Sequence, residues 1–297
     1  MQAPFIFPKI MTGLDLSNLD GKLIKYSQFM AKNASTRSLQ FIHVIPHYII
    51  PESVDSSFQK VLSGNLQIDK WAQLQLDKMI LPLKNSLKNV EIKTEVLEGS
   101  PLNQLLKHAE IQQPDLLIVG KKTISANSGI IARRIARKTK CAVCFVTEKA
   151  NTELKQLLVP IDFSDTSIRA LHAAIQLQKQ LDNIHITALH VIEVPMVAYK
   201  INRNQVEIVA RHKQEVENKF DELLKKHKIK KDNLKLITTI NDVFDISGYI
   251  RKTAVEQDID LIITGARGHS VFEDFIFGST TEKLVTMEVD IPILVLR

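Results

Sequence analysis

LIITGARG, residues 261–268, decides the fold together with GSTTE at residues 278–282. Four bulky apolar or β-branched residues that end at Gly265 are typical of the carboxyl end of a buried parallel strand. Ser279 and Glu282 have the spacing of a capping box, which predicts a helix that begins near Ser279. The sequence therefore predicts a strand, a glycine-containing loop and a helix N-terminus in succession.

This loop has the features of an anion-binding site. Glycines at 265, 268 and 278 allow the backbone to approach a ligand closely. The unpaired N–H groups and the positive dipole end of the following helix favour phosphate. The loop taken alone leaves a second interpretation open, because glycines also serve ordinary turns and Ser279 also fits a plain N-cap.

An internal repeat runs through the whole chain. Most of the apolar runs of the first half recur in the second half, and the first two pairs share one offset of 147 residues. The matching pairs are IMTGLDLS (10–17) with LLVPIDFS (157–164), FIHVI (41–45) with ALHVI (188–192), PDLLIVG (114–120) with IDLIITG (259–265), and CAVCFV (141–146) with IPILVL (291–296). The chain therefore contains two copies of one domain, residues 1–147 and 153–297, joined by a short polar run.

Each copy alternates apolar runs with amphipathic stretches such as residues 168–181 and 205–226, which is the pattern of a parallel sheet covered by helices. We expect an α/β protein with two tandem doubly wound (Rossmann-like) domains, each a five-stranded parallel sheet with helices on both faces. Ligands of such folds bind at the carboxyl ends of the strands, where the strand order reverses. If the fourth strand lies beside the first, the loops after Asp162 and Gly265 open onto one crevice.

These residues resemble the universal stress proteins, in the tandem form that carries two family domains in one chain. The nucleotide-binding subgroup of that family has Gly, two residues, Gly, nine residues, then Gly and Ser or Thr, and this chain matches with Gly265, Gly268, Gly278 and Ser279. The ends of the first two family strands are matched by residues 160–162 (PID) and 190–191 (HV). The resemblance covers nearly the whole sequence.

The resemblance implies an ATP site in the second domain, with or without magnesium. Asp162 and Val191 would face the adenine and ribose, which suits a carboxylate because it accepts hydrogen bonds but repels phosphate. Asp162 also fits the start of a helix near Asp165, and both roles are compatible. Arg267 and His269 are assigned no role. The implied site residues are Pro160, Ile161, Asp162, Val191, Thr264, Gly265, Gly268, Gly278, Ser279 and Thr280.

The first copy departs from this pattern where the phosphates would lie. Gly120 is retained, but Thr123 stands at the second glycine position and eight residues separate Gly120 from Gly129. A β-branched side chain and a shortened loop are expected to close or reshape the phosphate cradle. We therefore interpret the first domain as a degenerate copy that has lost the nucleotide motif.

Composition and the remaining motifs exclude several protein classes. The net charge of +6 includes a basic cluster at residues 133–140, but no aromatic platform accompanies it, so we expect no nucleic-acid partner. Cys141 and Cys144 fall in an apolar strand and point to opposite faces, and no metal motif occurs. The chain shows no secretory signal and no membrane span, which favours a cytoplasmic location and no membrane partner.

Three functional hypotheses follow. The first is an ATP-binding regulatory protein of the stress response that acts through an unidentified protein partner. The second is a scaffold that no longer uses nucleotide. The third is a slow ATPase or autophosphorylating protein using Ser279, Thr280 or Thr281, although no Walker A motif, kinase loop or catalytic residue is evident. The resemblance also suggests an internal pseudo-dimer through residues 141–146 and 291–296, with a homodimer left open.

Overall fold

The computed structural model describes residues 6–46, 65–122, 128–193, 205–241, 245–267 and 277–297. The described chain forms two compact units, an N-terminal unit of residues 6–152 and a C-terminal unit that begins at Glu153. Within each unit, strands alternate with helices, as in other α/β folds.

The N-terminal unit starts with a strand and alternates strictly. Its described elements are β1 (Lys9–Leu14), α1 (Asp20–Asn33), β2 (Ser38–Ile45), α2 (Asn65–Ser86), β3 (Glu91–Glu98), α3 (Pro101–Gln112), β4 (Leu116–Lys121), α4 (Ser128–Lys138) and β5 (Ala142–Thr147).

The C-terminal unit repeats this order. Its described elements are β6 (Gln156–Pro160), α5 (Asp165–Gln180), β7 (His185–Ile192), α6 (Gln205–Lys226), β8 (Leu234–Ile240), α7 (Ile246–Glu256), β9 (Leu261–Gly265), α8 (Ser279–Thr286) and β10 (Ile293–Leu296). The two amphipathic stretches noted in the sequence are α5 and α6.

Each unit has one parallel sheet with its first strand at the centre. The strand order is β3-β2-β1-β4-β5 in the N-terminal unit and β8-β7-β6-β9-β10 in the C-terminal unit. The chain first builds outward from β6 to β8 and then returns to place β9 on the other side of β6. The strand order therefore reverses between β6 and β9, which is where doubly wound folds bind ligands. The predicted fold class is confirmed.

The buried strands explain why the sequence folds this way. All five residues of β9 are buried, as are the three inner residues of β6. Strands covered on both faces carry continuous apolar runs instead of alternating ones. The runs at residues 157–159 and 261–263 therefore form the centre of the sheet and bring their carboxyl ends side by side.

The two units share hydrogen bonds at equivalent positions. The ring nitrogen Nδ1 of His43 lies 3.0 Å from the carbonyl oxygen of Leu14. The same atom of His190, 147 residues later, lies 2.7 Å from the carbonyl oxygen of Ile161. Because a carbonyl only accepts, Nδ1 must carry the proton in both rings. The repeated histidines therefore tie the second strand of each unit to the end of the first.

The cysteines lie at the start of β5. Cys144 is fully buried, Cys141 is half-buried just before the strand, and neither forms a disulfide. Burial raises the pKa of the Cys144 thiol far above its ordinary value, so this thiol stays protonated and inert. Within the described ranges, none of the helices combines the length and apolar content needed to cross a bilayer.

Candidate functional site

The end of β6 is held by β7. Pro160 is half-buried and Ile161 is buried. The Ile161 amide donates to the Leu189 carbonyl at 2.8 Å, and the Ile161 carbonyl accepts the His190 Nδ1 proton. Burial lowers the pKa of His190, against the opposing hydrogen bond to Ile161, so the ring is neutral at neutral pH. The N–H and the C=O of Ile161 are therefore both hydrogen-bonded within the unit.

Asp162 organises the turn from β6 into α5. Its Oδ1 accepts hydrogen bonds from the amide of Ser164 at 3.0 Å and from the Ser164 hydroxyl at 2.6 Å. Ser164 is the N-cap of α5, and its Oγ accepts from the amide of Ser167 at 3.3 Å. Asp162 thus does not cap α5 itself but orients the serine that does. Phe163 between them has a φ of 66°, which turns the chain sharply away from the sheet.

Gly265 is required by packing. A Cβ atom added at this position would lie 2.6 Å from Thr166 Oγ1 and 2.8 Å from the main-chain carbon of Thr166. The Thr166 hydroxyl also donates to the carbonyl oxygen of Arg267. The first turn of α5 therefore presses directly on the end of β9. This gives Gly265 a structural reason to lack a side chain, beside the ligand role that the sequence predicts for it.

The first turn of α8 is fixed at the end of β9 by two hydrogen bonds. The amide of Gly278 donates to the carbonyl of Ala266 at 2.8 Å, and the hydroxyl of Thr281 donates to the carbonyl of Gly265 at 2.9 Å. Gly278 is the N-cap, with a φ of −64° and a ψ of 137°. These contacts place a helix N-terminus directly beyond the strand that lies beside β6.

The predicted capping box is wrong in register. The cap position belongs to Gly278, and Ser279 is the first residue inside the helix, so its hydroxyl does not cap the helix. The amide of Glu282 donates to the carbonyl of Gly278 at 2.9 Å, which is the first turn of α8. The spacing predicted the helix correctly but placed its start one residue late.

The amides of residues 279–281 come before this first intrahelical bond, so they are donors that the helix itself does not use. Ser279 is exposed and Thr280 is half-buried. An anion at this end would meet these N–H groups and the positive end of the helix dipole. The amide of Gly278, in contrast, is already bonded to Ala266.

The other predicted site residues are placed as follows. Val191 is half-buried on β7, immediately after His190. Thr264 is buried near the end of β9, with its hydroxyl 3.3 Å from the carbonyl of Gly265. Gly268 and His269 lie outside the described residues. The structure thus brings the ends of β6, β7 and β9 and the start of α8 to the same edge of the sheet.

Thr166 is a site residue that sequence reasoning missed. It connects α5 to the loop after β9 through both its packing on Gly265 and its bond to Arg267. The signal was present in the repeat, because the offset of 147 aligns Thr166 with Leu19. A hydroxyl in place of an apolar side chain at the carboxyl edge of the sheet marks a difference between the two copies.

The equivalent edge of the N-terminal unit is closed by an ion pair. The Lys122 ammonium lies 2.8 Å from Asp15 Oδ2, and both side chains are about half-exposed. Burial raises the pKa of Asp15, but the hydrogen bonds from Lys122 and Ser17 outweigh it and hold the pKa below its ordinary value. Asp15 aligns with Asp162, so the acceptor that would face a base is occupied by a cation of the same chain.

A second carboxylate lies beneath this pair. Asp20 is fully buried and aligns with Ser167 of the other unit. Its two oxygens accept from the amides of Asp15 at 3.2 Å and Leu16 at 2.8 Å. Burial raises the pKa of Asp20 to about 6, although the bond from the Asp15 amide opposes the shift. Ionised carboxylates at this edge disfavour a phosphate group.

Comparison with known protein families supports this geometry. Residues 7–147 and 153–297 each match the Universal stress protein family. The chain belongs to the universal stress protein family. It carries the family domain twice, which accounts for the repeated strand ends, histidines and turns described above. No curated protein matches the sequence of this tandem universal stress protein.

Solved structures show the same fold over the full length. A universal stress protein from Archaeoglobus fulgidus DSM 4304 is 15% identical with a TM-score of 0.61, and the match covers 99% of this chain and 97% of that one. A putative universal stress protein from Pseudomonas aeruginosa UCBPP-PA14 is 16% identical with a TM-score of 0.61, covering 98% and 93%. At these identities the likeness establishes the fold.

Proposed function

We propose that this tandem universal stress protein binds ATP in its C-terminal unit and uses nucleotide occupancy to regulate a protein partner. The observation that carries the proposal is the position of α8. Its N-terminus is bonded to the end of β9, at the point where the strand order of the sheet reverses. The family membership and the spacing of Gly265, Gly268, Gly278 and Ser279 support the same interpretation.

The described residues fit the two ends of a nucleotide. The amides of Ser279 and Thr280 and the dipole of α8 suit phosphate oxygens, which need donors and positive potential. Asp162 suits the base or ribose, because a carboxylate accepts hydrogen bonds from amino and hydroxyl groups. Within the described ranges there is no group of three or more His, Cys, Asp or Glu side chains that could hold a metal. A magnesium ion would therefore arrive with the phosphates of ATP and be held chiefly by them.

Regulation does not require that ATP be hydrolysed. A nucleotide shifts a conformational equilibrium only by the difference in its affinity for the two states. Helix α8, which begins at the proposed phosphate end, packs against α7. Occupancy of the α8 N-terminus is thus expected to be sensed at the outer surface of these two helices.

The proposal is tested at Gly278 with a matched pair of variants. Its backbone angles are open to any residue, and both Asn and Asp are good N-caps that keep α8 intact. Gly278→Asp adds a negative charge beside the phosphates and should weaken ATP binding by about 100-fold, whereas Gly278→Asn should stay within about threefold of the parent protein. Calorimetric titration of ATP into protein freed of bound small molecules measures both constants.

The controls separate binding from folding. The two variants should unfold at about the same temperature as each other, since Asn and Asp are comparable N-caps. Loss of ATP affinity in Gly278→Asp alone supports the site. Equal affinity in both variants would refute this site, and no heat from the parent protein at millimolar ATP would assign the chain to the nucleotide-independent scaffolds.

A further inference from the structure

Helix α4 of the N-terminal unit presents an unusual outward face. Ala132, Ile135 and Ala136 are buried, and the helix packs through this side against β4 and α3. At 100° per residue, the exposed positions form one continuous arc. The exposed side chains on this arc are Ile130, Ile131, Arg133, Arg134, Arg137 and Lys138. We call this arc the α4 face.

The α4 face is strongly cationic. Residues 116–147 contain seven lysines and arginines and not one aspartate or glutamate. The equivalent helix of the other unit, α8, balances Glu282 with Lys283. The positive charge is therefore a property of the N-terminal copy and not of the fold.

The same face exposes apolar surface at one end. Ile130 is 51% exposed and Ile131 is 46% exposed, side by side at the start of the helix. A single exposed apolar side chain is common on protein surfaces, but two adjacent ones form an apolar patch. An apolar pair next to a row of guanidinium groups is the composition of a protein interface, in which arginine is enriched and lysine is depleted.

We propose that the α4 face is the docking surface for an acidic segment of a partner protein, with an apolar residue of that segment covering Ile130 and Ile131. Arginine guanidinium groups bind carboxylates through two parallel hydrogen bonds, which gives the pairing a defined geometry. Three arginines on this one helix stand out in a chain that uses lysine far more often. The inference extends the proposed function by naming a partner surface, and it does not depend on nucleotide binding.

The composition of the α4 face favours a protein over the other anionic partners. Single-stranded nucleic acids are usually held by aromatic side chains that stack on bases, and the six residues of this face include none. Arginine pairs with phosphate as well as with carboxylate. The exposed Ile130 and Ile131 beside the arginines therefore favour a peptide that carries an apolar side chain together with its carboxylates.

The test uses the full-length protein and a fluorescent peptide of glutamate and leucine. Fluorescence anisotropy should show saturable binding that weakens as salt is added. Arg134→Gln/Lys138→Gln should weaken binding by about tenfold, and Ile130→Ser/Ile131→Ser by about fivefold. The matched control, Lys225→Gln/Lys226→Gln, removes the same charge from exposed positions on α6 and should leave binding unchanged.

A charge-preserving variant separates protein from lipid and nucleic acid. Arg133→Lys/Arg134→Lys/Arg137→Lys should weaken the peptide complex by several-fold because the paired hydrogen bonds are lost. The proposal is overturned if the peptide binds the α4 and α6 charge variants equally. It is also overturned if phosphatidylglycerol vesicles or single-stranded RNA bind more tightly than the peptide, with an affinity that the lysine variant retains.

Discussion

The carboxyl edges of the two sheets differ although the scaffold beneath them is the same. In both units a histidine of the second strand donates a hydrogen bond to a carbonyl at the end of the first strand. The aspartate that follows this carbonyl accepts a hydrogen bond from the amide of the serine two residues after it. In the N-terminal unit this aspartate is paired with Lys122, above the buried Asp20. In the C-terminal unit the equivalent positions hold Asp162, Ser164 and Ser167, which bond among themselves and cap α5.

This difference shows how the side chains of one edge can change while the fold is kept. The hydrogen bonds that close the strand ends are retained, so the turn keeps its shape. Three side chains at this edge differ: Leu19 stands in place of Thr166, Asp20 in place of Ser167, and Lys122 in place of Arg267. Side chains of the N-terminal unit thereby bond to the groups that a ligand would otherwise contact.

Substituting the glycine near the end of the fourth strand should give the largest difference in unfolding free energy between the two units. Gly265→Ala puts a Cβ against the main chain of Thr166, which cannot move aside easily, and should cost about 2 to 3 kcal/mol. Gly120→Ala meets the flexible end of the Leu19 side chain instead and should cost about 1 kcal/mol. Urea unfolding of both variants measures the two free energies. Equal costs would show that the packing of the two edges does not differ in this way.

Substituting either of the repeated histidines should lower the unfolding free energy by a similar amount, because the two units share this hydrogen bond. His43→Ala and His190→Ala each leave a carbonyl without its donor, in Leu14 and Ile161, and each should destabilise its unit by about 1 to 2 kcal/mol. Thermal unfolding is the measurement. A cost confined to His190 would mean that the bond has a role in only one copy.

The buried Asp20 should make the stability of the N-terminal unit depend on pH. Its folded pKa of about 6 is above the value of an exposed aspartate, so its contribution is largest at low pH and is lost as the pH rises through about 6. Asp20→Asn should flatten the dependence of the unfolding free energy on pH between about pH 4 and 6, which are the unfolded and folded pKa values of Asp20. Ser167 does not titrate, so Ser167→Ala should leave that dependence as it is. An unchanged slope in Asp20→Asn would contradict the assignment.

The Asp15–Lys122 pair should have the smallest effect on stability. Both side chains are about half-exposed, and exposed ion pairs contribute at most about 1 kcal/mol. Lys122→Met should raise the pKa of Asp15 toward its ordinary value, so that this carboxyl begins to protonate at a higher pH, which NMR titration of the carboxyl group detects. ATP stoichiometry should stay unchanged. A second ATP bound by this variant would show that the ion pair alone closes the first copy.

The repeat and the apolar runs predicted the fold class, whereas the position of the fourth strand beside the first was only a condition of the argument. Continuous apolar runs such as residues 157–159 and 261–263 are typical of strands buried on both faces of a parallel sheet. Their recurrence in both halves of the chain then predicted two such sheets. These features follow from patterns that extend over many residues, so single substitutions do not obscure them.

The details of the site depended on contacts that local spacing does not contain. Whether Gly278 or Ser279 caps α8 is a difference of one residue, decided by the bond from Gly278 to Ala266. The Asp15–Lys122 pair joins residues 107 positions apart. The role of Gly265 in packing became visible only through Thr166, which lies on a different element.

The most direct test of the central claim, that only the C-terminal edge binds ATP, is hydrogen–deuterium exchange of the full-length protein with and without ATP. Binding at the proposed site should slow exchange in peptides that cover residues 161–167 and 278–286. Peptides that cover the equivalent turn of the first copy, residues 14–20, should exchange at the same rate in both conditions. Protection of residues 14–20, or of neither turn when ATP is saturating, would contradict the account.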